Sequence, residues 1–170
     1  VDDGKFGPMS LTLDVAGGKL YTVSMGTPEA AVIDVASGKV DKVIDLGNAV
    51  SASGVAVDAK NNRLYVASQG SDNLLIVDIA GGKVLHDVAV GAGALNVAFE
   101  PVSGLAYVTN RGAGTVTVVD GNGQVVGNLD GGTFPNHVSQ DGKGNVFAVN
   151  KSRGAEDPKG DRVTRIAKRR

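Results

Sequence analysis

The sequence predicts an all-β fold made of repeated units, on three observations. Apolar and polar residues alternate along many short segments, as they do in half-buried strands. One such pattern returns at intervals of roughly 40 residues. No segment shows the 3.6-residue apolar spacing of an amphipathic helix. Glycine accounts for 25 of the 170 residues, which suits many tight turns. Four-stranded units of about this length are typical of β-propeller blades, so we expect a β-propeller.

The repeat is clearest in residues 105–120, which read LAYVTNRGAGTVTVVD. Earlier copies occupy residues 20–34 and 64–78, and an altered copy begins at Val146. The aromatic anchors lie 44, 42 and 40 residues apart and are Tyr21, Tyr65, Tyr107 and Phe147. Each tyrosine is followed 13 residues later by an aspartate, at Asp34, Asp78 and Asp120. We expect these aspartates to accept hydrogen bonds from turn amides, which is a scaffold role.

The strands of each blade follow in order from the inside outwards. Turns rich in Gly, Asn and Asp lead into the strands that carry the aromatic anchors. Innermost strands are expected at 9–14, 54–58, 95–100 and 135–140, and third strands at 30–35, 74–79, 115–120 and 162–167. Fourth strands are expected at 39–46, 83–90 and 124–129, and the last copy has none. The whole chain, 1–170, is thus predicted to be one propeller segment with blades at about 9–46, 54–90, 95–129 and 135–167.

Because the last blade is incomplete, the sequence does not determine how the propeller ring closes. Its outer edge is unpaired, and exposed edges favour pairing with other chains. Three architectures fit: the C-terminal part of a larger ring, a half-ring that pairs with a second copy, and a small four-bladed ring. We favour them in that order, and we expect homo-oligomers to form through exposed blade faces. The sequence begins with neither a methionine nor an apolar leader, so we expect a cut end of something longer.

The amino-acid composition excludes only a few classes of function. The absence of cysteine excludes disulfides and thiol chemistry. No apolar run is long enough to span a membrane. The net charge is −1, but residues 141–170 hold nine Lys and Arg against four Asp and Glu. We expect the basic end, 168–170, to be solvated.

Motifs for catalysis and metal binding are missing. There is no Gly-x-Ser-x-Gly elbow, and His86 and His137 lack the neighbours of a metal site. Residues 120–123 and 141–145 look like calcium loops, yet neither has the acidic ligand at the twelfth position, so we interpret both as hairpin turns. We assign no catalytic residue, metal or cofactor, and we lean towards a protein that is not an enzyme.

Candidate binding residues collect on one face of the predicted propeller. This face carries the residues that end each aromatic strand and the links between blades, and it becomes more basic and aromatic towards the last two blades. The long loop 152–159 belongs to it, and such loops are where recognition accumulates. The simplest mechanism for binding single-stranded DNA would have positively charged side chains contacting the phosphates and Phe134 stacking on a base, although aromatic residues are few. The candidate ligand-binding residues are Arg111, Phe134, Asn136, His137, Lys151 and Arg153.

The tetrapeptide Tyr107-Val108-Thr109-Asn110 and the blades around it resemble the YVTN-type β-propeller repeat family. The resemblance also covers Ala113-Gly114, Pro135-Asn136 and Arg165-Ile166, which are specific as a group. It implies a seven-bladed periplasmic or secreted propeller without established catalysis. For one bacterial periplasmic member it also implies an association with DNA, single strands included. The chain departs from this pattern by lacking about three N-terminal blades.

A non-enzymatic binding scaffold is therefore the leading interpretation, with single-stranded DNA or a protein as its partner. One alternative is a propeller enzyme, such as a lactonase or a quinone-dependent dehydrogenase. A lactonase would need clustered carboxylates, and the inner strands offer Asp14, Asp58 and Glu100 at their far ends. The other alternative is a purely structural assembly unit.

Overall fold

A computed structural model describes residues 4–167, which form fifteen β-strands and no helix. The strands make four separate antiparallel sheets, which we number as blades one to four. Blade one contains β1 (Pro8–Asp14), β2 (Lys19–Ser24), β3 (Glu29–Asp34) and β4 (Val40–Asp45). Blade two contains β5 (Ala52–Asp58), β6 (Arg63–Ser68), β7 (Asn73–Asp78) and β8 (Lys83–Ala89). Blade three contains β9 (Ala94–Glu100), β10 (Leu105–Asn110), β11 (Thr115–Val119) and β12 (Val125–Asp130). Blade four contains β13 (Pro135–Gln140), β14 (Asn145–Asn150) and β15 (Val163–Ala167).

Each blade is a simple meander in which consecutive strands pair. The predicted all-β propeller fold is confirmed. Blade four has three strands among the described residues, as the sequence indicates. The basic residues 168–170 lie outside the described part of the chain. No helix in residues 4–167 could cross a lipid bilayer.

The four innermost strands lie side by side, with β5 between β1 and β9, and β13 next to β9. They are not hydrogen-bonded to one another as a sheet, and together they line a central groove of about 320 Å³. Gly54 allows a close approach between blades two and three, because a Cβ atom there would lie 2.7 Å from the Cα of Asn96. Because Gly54 has no side chain, the inner strands β5 and β9 can pack closely.

The apolar core lies between the blades. Blade one places Tyr21 and Ile44 against Leu64 and Val77 of blade two. The other face of blade two packs against blade three in the same way, and blade three packs against blade four. Residues 74–77 are at most 1% exposed, because blade two has a neighbour on both sides. Blades two and three are thus packed on both faces.

The two end blades expose apolar side chains. On β1, Met9, Leu11 and Leu13 point away from blade two, and Leu11 is 64% exposed. At the other end, Val163 of β15 is 67% exposed. These faces are the open ends of the row of blades.

Short acidic side chains cap the turns, as the repeat predicts. Asp34 accepts hydrogen bonds from the backbone N (2.8 Å) and Oγ (2.7 Å) of Ser37. The hydroxyl of Ser37 and the ammonium of Lys19, 2.9 Å away, lower the pKa of Asp34. Asp120 accepts from the backbone N of Asn122 and of Gln124, each at 2.9 Å.

Two further aspartates complete this picture. Asp78 differs from the other repeat aspartates because its partner is the side-chain amide of Asn62, at 2.7 Å. Asp141 accepts from the backbone N of Lys143 (2.8 Å) and of Asn145 (3.1 Å). The sequence that looked like a calcium loop at 141–145 is therefore a hairpin turn.

Candidate functional site

Three connections meet at one end of blades three and four. They are the turn between β10 and β11, the link between β12 and β13, and the long loop between β14 and β15. Backbone hydrogen bonds join them: the N of Gly131 donates to the O of Gly114 (2.9 Å), and the N of Thr133 donates to the O of Lys159 (3.2 Å). We call the six candidate residues carried by this end and by the start of β13 the loop face: Arg111, Phe134, Asn136, His137, Lys151 and Arg153.

Two guanidinium groups lie over one aromatic ring on the loop face. The Cζ atom of Arg111 is 5.5 Å from the ring centroid of Phe134, and the Cζ atom of Arg153 is 4.8 Å from it. Both distances are within the range of cation–π attraction. Phe134 has a φ of 47°, a left-handed conformation that non-glycine residues seldom adopt. The cluster lines a pocket of about 240 Å³ together with the glycine-rich turn 112–114.

This arrangement changes the role that Phe134 could have with a nucleic acid. The sequence interpretation has the Phe134 ring stacking directly on a base. In the structure the ring is half-buried and both arginines lie over it. A planar ligand would therefore stack on a guanidinium group, or displace one of the arginines from the ring.

Lys151 is anchored next to this cluster by its backbone. Its N donates to the O of Phe134 at 3.1 Å, and its side chain is exposed. It lines neither of the pockets of the loop face. Lys151 thus places an exposed positive charge beside the arginine pair, outside the pocket.

Asn136 and His137 lie in a second pocket, at the mouth of the central groove. This pocket measures about 320 Å³ and is lined also by Arg111, Ser53 and Asn96. Arg111 lines both pockets and so connects the two parts of the loop face. The structure therefore groups Arg111, Phe134 and Arg153 on one side, and Arg111, Asn136 and His137 on the other.

Lys159, the last residue of the long loop but not one of the six predicted candidates, lines the arginine pocket. Its Nζ is 3.0 Å from Oδ2 of Asp130 at the end of β12. The backbone N of Gly132 and the ammonium of Lys159 lower the pKa of Asp130. The basic composition of the long loop was the available signal, but nothing in it showed that Lys159 folds back onto the end of blade three.

Asn150, the last residue of β14, holds the long loop in place. Its Nδ2 donates to the O of Lys159, and its Oδ1 accepts from the N of Arg162 at 2.9 Å. The equivalent Asn110 donates to Thr115 Oγ1 (3.0 Å) and Thr117 Oγ1 (2.7 Å). The expectation that strand-ending residues are displayed for binding is therefore wrong, because these side chains are buried and brace the following turn. The side chains of Ser24 and Ser68, which end the corresponding strands of blades one and two, are buried as well.

The carboxylates that a lactonase would need are occupied as turn caps. Asp14 accepts from the N of Gly17 (2.9 Å), and Asp58 accepts from Nδ2 of Asn61 (2.7 Å). Glu100 is fully buried and accepts from the N of Val102 (2.9 Å) and of Ser103 (2.6 Å). Asp14 and Asp58 each cap a turn of their own blade, and Glu100 also accepts from the backbone N of Gly144 in the turn between β13 and β14 of blade four. Within residues 4–167, no three His, Asp or Glu side chains are grouped so that they could hold a metal ion.

No protein-family model matches the chain. It is 34% identical over 165 residues to the uncharacterized protein YncE of Salmonella typhimurium, and equally to YncE of Salmonella typhi. Each alignment covers 92% of this chain and 46% of YncE. The chain thus spans about half the length of these curated relatives.

Solved structures agree on the fold. Hydrazine synthase of Kuenenia stuttgartiensis superposes with a TM-score of 0.84 and 23% identity, over 98% of this chain and 47% of that one. BamB of Moraxella catarrhalis superposes with a TM-score of 0.66 and 14% identity, over 83% of this chain and 39% of that one. At these identities the likeness concerns the fold alone. Together with the sequence match, it confirms that the chain has a β-propeller fold and resembles YncE over 92% of its own length.

Proposed function

We propose that the chain is a non-enzymatic binding scaffold, a single propeller segment that binds an anionic partner through the loop face. The observation that supports this most directly is the pair of guanidinium groups held over Phe134 beside an open pocket. Arginine side chains present planar, permanently charged donors that match phosphate and carboxylate groups. Holding two of them against a ring reduces the side-chain entropy that is lost when a ligand binds.

Single-stranded DNA is the first ligand to test. Arg111 and Arg153 could contact successive phosphates while an unstacked base lies against a guanidinium plane, and Asn136 could hydrogen-bond a base edge. Such binding weakens steeply with salt, because phosphate contacts release counterions. We further propose a periplasmic or secreted location, which rests on the resemblance to the YVTN-type family.

Fluorescence anisotropy with a labelled oligo-dT strand tests the proposal. We expect binding at low salt that weakens as salt rises, and weaker binding by Arg111→Ala and by Arg153→Ala. Lys60→Ala is the matched control, since Lys60 is an exposed cation in the turn between β5 and β6. Flat anisotropy at low salt would exclude single-stranded DNA. Equal weakening by Lys60→Ala would show diffuse charge attraction and would exclude the loop face as the site.

If single-stranded DNA does not bind, a protein that contacts the same residues is the next partner to test. Crosslinking from p-benzoylphenylalanine at the exposed position 113, in the turn that lines the arginine pocket, then tests for it. We expect a crosslinked product from cell extract with this variant, and none when the same group is placed at Lys60. Products from both positions, or from neither, would contradict a binding role for the loop face.

A further inference from the structure

Three cations and one carboxylate line the pocket beside the arginine pair. The cations are those of Arg111, Arg153 and Lys159, and the carboxylate is that of Asp130. Asp157 of the long loop does not line this pocket, and its two oxygens accept from the backbone N of Arg153 (3.0 Å) and of Lys159 (2.9 Å). The side chains that line the pocket thus carry a formal surplus of two positive charges, which favours an anionic ligand.

Backbone amides contribute little to this pocket, in contrast to glycine-rich loops that bind phosphate through their N–H groups. The N of Ala113 and the N of Gly114 donate to backbone oxygens at 3.0 Å and 2.9 Å. The N of Gly132 donates to Oδ1 of Asp130 at 2.9 Å. These donors are already used within the fold, so the binding of an anion depends on the three cationic side chains.

The three cations are available to a ligand. Neither Arg111 nor Arg153 belongs to an ion pair within residues 4–167. Lys159 pairs with Asp130 at 3.0 Å, but the two side chains are 62% and 68% exposed. An exposed ion pair adds little stability. Lys159 can therefore turn towards a ligand at small cost.

The charge and the number of donors match a phosphate monoester. This group carries close to two negative charges at neutral pH and has three unesterified oxygens. A phosphodiester within a strand has a single charge and only two such oxygens, as a carboxylate does. Three cations can each contact one oxygen of the monoester, and their surplus charge balances it. The pocket of about 240 Å³ is smaller than the roughly 300–1,000 Å³ of typical ligand pockets, which suits a terminal group.

We propose that the arginine pocket is a site for a phosphate monoester, the group that ends a phosphorylated strand and that free nucleotides also carry. The rest of the ligand extends from it towards the pocket of Asn136 and His137, because Arg111 lines both pockets. This proposal rests on the function proposed for the loop face and names the group that the site recognises.

Fluorescence anisotropy with two matched oligo-dT strands, both labelled at the 3′ end, tests the proposal. One strand carries a 5′-phosphate. The other carries a 5′-hydroxyl and is longer by a single nucleotide, so that both strands contain the same number of phosphates. We expect the phosphorylated strand to bind the whole chain about tenfold more tightly, since hydrogen bonds between charged groups are the strong ones.

Lys159→Gln should remove most of this preference, because it takes away one of the three cations. The Lys159 side chain is 62% exposed, so the variant keeps the fold. Lys143→Gln is the matched control, since Lys143 is exposed in the hairpin turn between β13 and β14, at the opposite end of blade four. A preference that persists in both Lys159→Gln and Arg153→Ala would overturn the assignment to this pocket.

Competition with a small ligand identifies the source of the phosphate group. Thymidine 5′-monophosphate should displace the phosphorylated strand, whereas thymidine, which lacks the phosphate, should not. Equal affinities of the nucleotide and the phosphorylated strand would assign the site to free nucleotides. Tighter binding of the strand would assign it to strand ends.

Two results would overturn the proposal in different ways. Equal binding of the two strands, weakened alike by Arg111→Ala, would exclude the monoester site and leave the loop face as a binding surface for the interior of a strand. No binding of either strand or of thymidine 5′-monophosphate at millimolar concentration would exclude both the monoester site and nucleic-acid binding by the loop face.

Discussion

At the scale of single residues, Glu100 shows how this fold uses a buried carboxylate. Its side chain has no exposure to solvent, and burial alone would raise its pKa. Hydrogen bonds from the backbone N of Val102, from the hydroxyl and backbone N of Ser103 and from the backbone N of Gly144 outweigh that effect, so the pKa of Glu100 lies below its usual value. The charged form is therefore part of the folded structure, and it closes the turn between β9 and β10.

Glu100→Gln should lower the free energy of unfolding at pH 7 by about 1–3 kcal/mol, because an amide is a weaker acceptor for two buried amides. A lowered folded-state pKa stabilises the protein above the unfolded-state pKa of about 4.3, and this contribution is lost as pH falls through the folded-state pKa. Urea unfolding of both proteins at pH 7 and at pH 3 checks this. The difference in free energy of unfolding between the two proteins should be smaller at pH 3 than at pH 7. An equal difference at both pH values would contradict the prediction. Glu156→Gln, at an exposed loop position, is the control.

Asn150 is the residue that shapes the loop face without lining its arginine pocket. It is 7% exposed, and its amide group bonds to both Lys159 and Arg162. No side chain of similar size without both a donor and an acceptor could make these contacts.

Asn150→Ala should loosen the long loop and lower the free energy of unfolding by about 1–3 kcal/mol, since buried backbone groups lose their partners. Limited trypsin digestion should cut after Arg153 and Lys159 faster than in the parent chain. Asn122→Ala is the control, because the Asn122 side chain is exposed in a different turn. An unchanged digestion rate would show that Asn150 does not hold the loop.

At the scale of strands and blades, the inner strands depend on a close approach that only glycine permits. A Cβ atom at position 54 would come within 2.7 Å of the backbone of Asn96. The neighbouring backbone cannot rotate away as a flexible side chain could. β5 and β9 must therefore separate if position 54 carries a side chain.

Gly54→Ala should destabilise the protein by about 1–3 kcal/mol through overpacking. Gly127→Ala in β12 is the matched control, because a Cβ atom there would meet Val118 at an ordinary 3.7 Å. Thermal unfolding should show a lower Tm for the first variant and little change for the second. Equal Tm values would mean that the inner strands can move apart at no cost.

At the scale of the whole molecule, stability is shared between three interfaces rather than one centre. Blade two is covered on both faces, whereas blades one and four are each covered on one. Repeat proteins of this kind gain stability from each unit and from its contacts with direct neighbours. We therefore expect local opening to begin at the ends of the row.

Hydrogen exchange of the free chain should follow that order. The amides of β6 and β7 should exchange slowest, and those of β1 and β15 fastest, because the end strands lose fewer buried contacts when they open. Mass spectrometry of peptic fragments measures this. Uniform protection across the four blades would indicate a single cooperative unit instead.

The sequence predicts the strands well because their signal is local. Alternation within residues 105–120 specifies two strands and the turn between them, and the recurring aspartates specify the caps. The clustering of Arg111, Phe134 and Arg153 rests on the joint packing of three loops, which periodicity does not encode. Lys159 and Asn150 lie on the predicted face, but their contacts with Asp130 and Arg162 were not predicted, because those partners lie on other segments.

By itself, the sequence determined the blade repeat, the strand order and the capped turns, because each of these depends on residues that are close along the chain. Only the tertiary structure decided that two arginines share one ring and that an apolar groove lies between the outer parts of blades three and four. These features form between blades, where the contacts depend on how neighbouring sheets pack and how the long loop folds back.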